Sequence, residues 1–175
     1  TARQFARAIV MPNLRPPVIT VDLAEAYRGR ILAVLPANSR FEPLMTLYLT
    51  DNTAPGEITL AKTSGRVHAV KYYPAGATTN SDSGVTRLDH CFPVLEVMEK
   101  AGLPLLLHGE VTDPEVDVFD REKVFIDTVL PQITRRFAGL RVVLEHITTR
   151  EAVQYVAGAP ANIAATVTAH HLLMN

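Results

Sequence analysis

The sequence predicts an α/β fold in which strands and helices alternate around a parallel sheet, in six units of a (β/α)8 barrel. Three observations carry this. Lys71, His108 and His146 stand 37 and 38 residues apart, the length of one strand–loop–helix unit. Each follows or ends a short apolar run: Val67 to Val70, Leu105 to Leu107, and Val142 to Leu144 with Glu145. Each is followed by loop-like residues and then a helix-like stretch. Polar residues recurring at the carboxyl ends of successive parallel strands are where a β/α barrel keeps its chemistry. Two architectures accommodate six units: an open doubly wound sheet, or a TIM-type barrel represented by about six of its eight units. Side chains collected from many strand ends favour the ring, with the first and last barrel units missing from the chain.

The elements follow in order. A first strand is expected over Ala6 to Pro12, ending at Asn13, and Arg15-Pro16-Pro17 makes a rigid loop because proline fixes φ and removes donors. Thr20 is placed to cap a helix from Val21 to Leu35, in which Leu23, Ala24, Tyr27, Ile31 and Val34 keep helical spacing. The second strand covers Pro43 to Thr50 and ends at Asp51. A short helix near Glu57 to Thr63 leads to the third strand, Val67 to Tyr72. The loop Pro74 to Gly84 is small, polar and glycine-bearing, so few apolar contacts are expected to pin it. A helix near Val85 to Ala101 precedes the fourth strand, Leu105 to Gly109, and Pro93 bends it unless it falls in the first turn. A loop from Glu110 to Asp120 leads to a helix near Arg121 to Phe137, which Pro131 complicates in the same way. The fifth strand is Arg141 to Glu145. Thr148 and Glu151 form a capping box for a helix to Val156, and the sixth strand is Ile163 to Thr168. That makes six strands and five helices in one partial barrel domain over residues 1–175.

Composition narrows the partners. The 175 residues are 47% hydrophobic and 20% charged, with net charge −1, which suits a globular domain acting on a small molecule and argues against nucleic acid or a membrane surface. The longest apolar runs fall far short of the roughly 20 residues of a membrane span. No signal peptide is visible. Cys91 is the single cysteine, so no internal disulfide forms, in keeping with a reducing cytoplasm. The chain starts at Thr1 with a strand almost at once, and it reads as an excerpt of a longer protein.

Four strings are more specific. They are Ile9-Val10-Met11-Pro12-Asn13-Leu14, the run Lys71-Tyr72-Tyr73-Pro74-Ala75-Gly76-Ala77-Thr78-Thr79-Asn80-Ser81, then Leu107-His108-Gly109-Glu110-Val111, and Glu145-His146-Ile147-Thr148-Thr149. In this order and at these spacings the chain resembles the bacterial dihydroorotases of the enterobacterial class, in the amidohydrolase superfamily, over its whole length. The resemblance implies a zinc-dependent cyclic amide hydrolase interconverting dihydroorotate and N-carbamoyl-aspartate in pyrimidine biosynthesis, with two zinc ions per subunit, acting as a cytoplasmic homodimer. It implies that Lys71 is carboxylated and bridges the two ions. His108 and His146 become ligands of the more exposed zinc. Asn13 contacts the substrate carboxylate, and Thr78 and Thr79 ride on a loop that closes over the substrate. The family's His-x-His pair on the first strand and its catalytic Asp on the last have no counterpart here, so no catalytic residue is assigned within these residues. A hydantoinase-like cyclic amidase and a non-catalytic dihydroorotase-like scaffold are the competing readings.

The residue types suit that chemistry. Zinc lowers the pKa of bound water from about 15.7 to about 7 and polarises carbonyls. A lysine carbamate combines a long reach with a carboxylate's bite. It forms from the neutral amine, which only about one exposed lysine in 2,500 presents at pH 7, so a buried setting favours it. Neutral imidazoles suit zinc. Taken singly, such residues are ordinary: a lysine after a strand is usually a solvated charge, and Asn13 is the kind of residue that ends a turn. His170 and His171, if reached by an extension of the sixth strand, cannot both face a site, because adjacent strand residues point oppositely, and core or surface roles are expected for them. Cys91 is read as a small buried apolar residue. Tyr73 and Asp51 are placed at the mouth.

Overall fold

The structure, a computed structural model, describes residues 2–174. Its elements are β1 (Arg7–Val10), α1 (Val21–Ala33), β2 (Glu42–Tyr48), α2 (Pro55–Ser64), β3 (Val67–Tyr72), α3 (Phe92–Ala101), β4 (Leu105–Leu107), α4 (Arg121–Thr128), α5 (Leu130–Arg136), β5 (Val142–Leu144), α6 (Arg150–Ala157), β6 (Ile163–Ala165) and α7 (Ala169–Leu173). A short 3-10 turn, Leu88–Cys91, leads into α3. The six strands form one sheet in sequence order, every neighbouring pair parallel. A doubly wound sheet reverses its strand order at a switch point. This one does not, and it is a partial TIM-type barrel.

Strand alternation separates the two faces. Met45, Leu47, Val70, Tyr72, Leu105, Leu107, Val142, Leu144 and Ile163 belong to the hydrophobic core with the helices, through Ile58, Val94, Leu95, Met98, Phe125, Leu130 and Ile133. The residues between them point to the inner face of the barrel: Thr46 and Tyr48 on β2, Ala69 and Lys71 on β3, Leu106 on β4, Val143 on β5. In-register pairing aligns them, with Tyr48 opposite Lys71, Lys71 opposite Leu106 and Leu106 opposite Val143. The core therefore sits between sheet and helices, and the other face is free to be polar.

Local signals set most boundaries. Thr20 caps α1 by accepting from the Leu23 N–H at 3.3 Å. α2 opens on a proline and closes on Gly65 in the left-handed region, the pairing that favours a clean start and stop. The two internal prolines shorten the expected helices. α3 starts at Phe92 rather than near Val85, because Pro93 is tolerated only in a first turn. The expected helix over Arg121 to Phe137 is divided at Val129, and Pro131 falls in the first turn of α5. Two other expectations are corrected. The cap of α6 is Thr149, which accepts from Ala152 N–H at 3.2 Å, because the Thr148 hydroxyl is turned toward Glu122. β6 ends at Ala165, and His170 and His171 lie on α7, where Thr168 begins a helix. Among the described residues there are seven helices rather than five. No helix among them is long and apolar enough to cross a membrane.

Candidate metal and substrate site

Lys71 is the penultimate residue of β3, and its side chain is 1% exposed. Its ammonium is paired with the Glu145 carboxylate and lies 4.9 Å from the centre of the Tyr73 ring. Burial pushes its pKa down from the ordinary lysine value, against the upward pull of Glu145. The amine is thereby made easier to deprotonate than an exposed one.

His108 follows β4 directly, and His146 stands two residues past the end of β5. Backbone bonds extend the sheet by a step at both places: His108 N–H donates to Tyr72 C=O at 3.0 Å and Glu145 N–H to Leu107 C=O at 3.0 Å. The two imidazoles meet edge to face with centroids 4.8 Å apart, and His108 Nδ1 stands 3.2 Å from His146 Nε2. His146 has a left-handed backbone, φ 47°, uncommon for a residue with a Cβ. Burial first, then the charges of Lys71 and His108, hold its pKa below the usual imidazole value. On its other edge, the buried Nε2 of His108 makes no hydrogen bond and lies 3.5 Å from Glu110 Oε2. Lys71, His108 and His146 thus come together at the carboxyl ends of three adjacent strands.

The donor set is that of half a zinc shell. Two nitrogens at about 2.0–2.1 Å from one tetrahedral ion stand roughly 3.3 Å apart, and the His108–His146 pair is at 3.2 Å. Among the described residues no three His, Cys, Asp or Glu side chains cluster tightly enough to hold a metal by themselves. Lys71, near the end of the neighbouring strand β3, is the third group at this rim.

Asn13, Thr78 and Thr79 form a second group at the same rim. Asn13 Nδ2 donates to Thr79 C=O at 2.9 Å, and Asn80 Nδ2 returns a bond to Asn13 C=O at 3.0 Å. The loop they share is more strongly held than its composition suggests. The buried Ser81 hydroxyl accepts from Thr78 N–H at 2.8 Å and donates to Thr78 C=O at 2.6 Å. Gly76 N–H donates to Ser81 C=O and Gly84 N–H to the same oxygen. Polar bonding, not apolar packing, pins Pro74 to Gly84, and composition alone does not announce it. Tyr73 connects the two groups. Its ring centre is 6.0 Å from that of His108 and 5.2 Å from that of Tyr48, whose hydroxyl donates to Asn80 C=O at 3.4 Å. Asp51 sits at the loop's exit, accepting from Thr86 N–H at 3.0 Å and Thr86 Oγ1 at 2.6 Å.

The structure adds Glu145, which sequence reasoning passed over. Its signal was parity: two residues beyond Val143 on the same strand, it falls on the face that carries Lys71. Cys91 is fully buried, as expected. His90 is exposed beside Asp51, and His68 is only partly buried on β3.

No protein-family model matches the chain. Individual proteins do. It is 68% identical over all its 175 residues to a dihydroorotase of Methylobacillus flagellatus, of which it covers 51%. Among solved structures it resembles a dihydroorotase from Campylobacter jejuni with TM-score 0.88 and 37% identity, over 98% of this chain and 49% of that one. A dihydroorotase from Saccharomyces cerevisiae in complex with 5-fluoroorotic acid aligns with TM-score 0.84 and 32% identity, over 95% and 49%. The chain spans about half the length of the curated relatives it matches.

Proposed function

We propose that the chain, which resembles dihydroorotases over the half of their length that it spans, is part of a zinc-dependent cyclic amide hydrolase. The proposed reaction interconverts dihydroorotate and N-carbamoyl-aspartate in de novo pyrimidine biosynthesis. The observation that carries the proposal is the convergence of Lys71, His108 and His146 on one rim, with two imidazole nitrogens 3.2 Å apart. The described residues are taken as one partial barrel domain.

His108 and His146 would hold zinc through their imidazole nitrogens, and Lys71, once carboxylated, would join them in holding it. Zinc, when bound, polarises the ring amide and lowers the pKa of water. The remaining work is this chain's own. Burial on the inner face favours the neutral amine from which Lys71 takes up its carboxyl group. Asn13 binds the substrate's carboxylate through its side-chain amide. Thr78 and Thr79 carry exposed hydroxyls on the loop above, and folding that loop inward excludes water from the ring. The orotate-like ligand of the yeast relative is a carboxylated pyrimidine ring, the chemical class this reading requires. The protein is taken to act in the cytoplasm as a homodimer, in keeping with the resemblance.

The test is ring opening of dihydroorotate by the protein expressed from its complete gene, with zinc measured in the same sample. Wild-type protein turns the ring over with two zinc ions per subunit. His108→Ala loses zinc and activity together. Full activity without metal, or an inert wild-type protein loaded with zinc, overturns the proposal.

A further inference from the structure

Glu122 is a buried carboxylate without a cation. It lies in the first turn of α4, is 7% exposed, and takes part in no ion pair among the described residues. A buried charge is costly unless hydrogen bonds replace its water. Here they do. Glu122 Oε2 accepts from Thr149 N–H at 2.7 Å, Thr148 N–H at 3.0 Å and Thr148 Oγ1 at 3.3 Å, and Oε1 shares the Thr148 N–H at 3.2 Å.

The same short segment is gripped from its other end. His146 N–H donates to Thr166 Oγ1 at 2.9 Å and Ile147 N–H to Thr166 C=O at 3.0 Å. Four consecutive backbone donors, from His146 to Thr149, are thus divided between Thr166 and Glu122. That segment begins with the one left-handed backbone in the Lys71–His108–His146 group. A disfavoured conformation persists only where its surroundings over-determine it. Capping of α6 does not explain Glu122, since Thr149 supplies that cap from its own hydroxyl.

We propose that Glu122 is a positioning residue: it anchors the turn after β5 so that the His146 ring is aimed at the point where His108 Nδ1 converges. This rests on the reading of His146 as a metal ligand. Outlying hydrogen bonds that orient ligands are worth about 10–100-fold in metal affinity, and Glu122 acts one step further out.

The experiment uses the protein expressed from its complete gene, with zinc affinity measured by competition with a chromophoric chelator, a cobalt(II)-substituted visible spectrum, and thermal unfolding. Glu122→Gln leaves one acceptor where there were two, and is expected to weaken one of the two zinc ions by about tenfold and alter the cobalt spectrum. Thr149→Ala is the control: it lowers the unfolding temperature through α6 while leaving zinc affinity within about twofold. Equal zinc affinity in Glu122→Gln and Thr149→Ala overturns the proposal. His146→Ala is run beside them. If it keeps both zinc ions, the ligand reading itself falls; if it loses one while Glu122→Gln does not, only the positioning role falls. Should Glu122→Gln fail to fold, Thr148→Val, which removes the one hydroxyl donated to Glu122, carries the same comparison with an expected shift of about two- to threefold.

Discussion

His108 Nδ1 and His146 Nε2 stand 3.2 Å apart, brought together by parallel strands whose apolar faces are buried elsewhere. The separation of faces has a consequence for metal removal. The core lies between sheet and helices, so the rim proposed to hold metal is not needed to hold the fold. A chelator is expected to abolish dihydroorotate turnover while the far-ultraviolet circular dichroism stays unchanged, and added zinc restores the rate. Unfolding on chelation would contradict this division of labour.

Lys71→Ala is expected to reduce turnover by more than 100-fold, with loss of bound zinc. Alanine offers neither the amine that takes up a carboxyl group nor the anion that would result. A short carboxylic acid in solution is expected to restore part of the activity by occupying the gap. Kinetics with and without acetate, paired with metal analysis, checks both statements. Near-normal activity with two zinc ions per subunit removes Lys71 from the site.

Much of this was legible in the chain. β3 falls on Val67–Tyr72 as expected, because Gly65 ends the preceding helix and Val67, Ala69, Val70 and Tyr72 supply the apolar positions. α1 begins where Thr20 offers a cap. What local pattern missed was decided by partners distant in sequence. Thr148 reads as a cap until Glu122, 26 residues away, claims its hydroxyl. Glu122 carries no role in the sequence reading, since nothing nearby announces that its carboxylate is buried. The loop Pro74 to Gly84 reads as loose because its restraints are hydrogen bonds from Ser81 and Asn13 rather than apolar contacts.

Gly84 is one of those restraints. A Cβ there meets Tyr73 C=O at 2.5 Å, with Ala75 N and Ser81 O both at 2.9 Å, all backbone atoms with little room to give. Gly84→Ala is expected to destabilise the protein by about 1–3 kcal/mol, the range for overpacking, and to loosen the loop. Urea unfolding measures the first, and proteolytic cleavage between Pro74 and Gly84 the second. An unchanged urea midpoint would mean that the loop shifts at no cost.

Cys91 is expected to be inert in the folded protein. Burial pushes its thiol up to about 12, so the nucleophilic thiolate is scarce at pH 8. Reaction with Ellman's reagent at pH 8 is expected to be slow in buffer and fast in denaturant. An acid whose folded pKa is raised favours the fold below the unfolded value near 9 and loses that contribution as pH rises toward 12. Rapid modification of the native protein would place the thiol at the surface.

Thr78 and Thr79 separate loop architecture from loop function. Their hydroxyls are exposed and make no hydrogen bond among the described residues. The loop is held through the Thr78 backbone by Ser81 and through the Thr79 carbonyl by Asn13. Removing either hydroxyl therefore leaves the scaffold intact, and stability is expected to change by less than about 0.5 kcal/mol, as at an unremarkable surface position. If the hydroxyls bind substrate when the loop folds inward, Thr78→Ala and Thr79→Ala each lower kcat/KM by about 10–100-fold, a loss of about 1.4–2.8 kcal/mol in transition-state binding, with zinc content unchanged. Asn13→Ala is expected to differ from both: it removes the side-chain amide that holds Thr79 as well as the proposed substrate contact, so the loop becomes more susceptible to proteolysis while kcat/KM falls. Steady-state kinetics, metal analysis and limited proteolysis on the three variants distinguish these outcomes. Wild-type kcat/KM in both threonine variants would reduce the loop to a connector, and closure over the substrate would have to come from elsewhere on the rim.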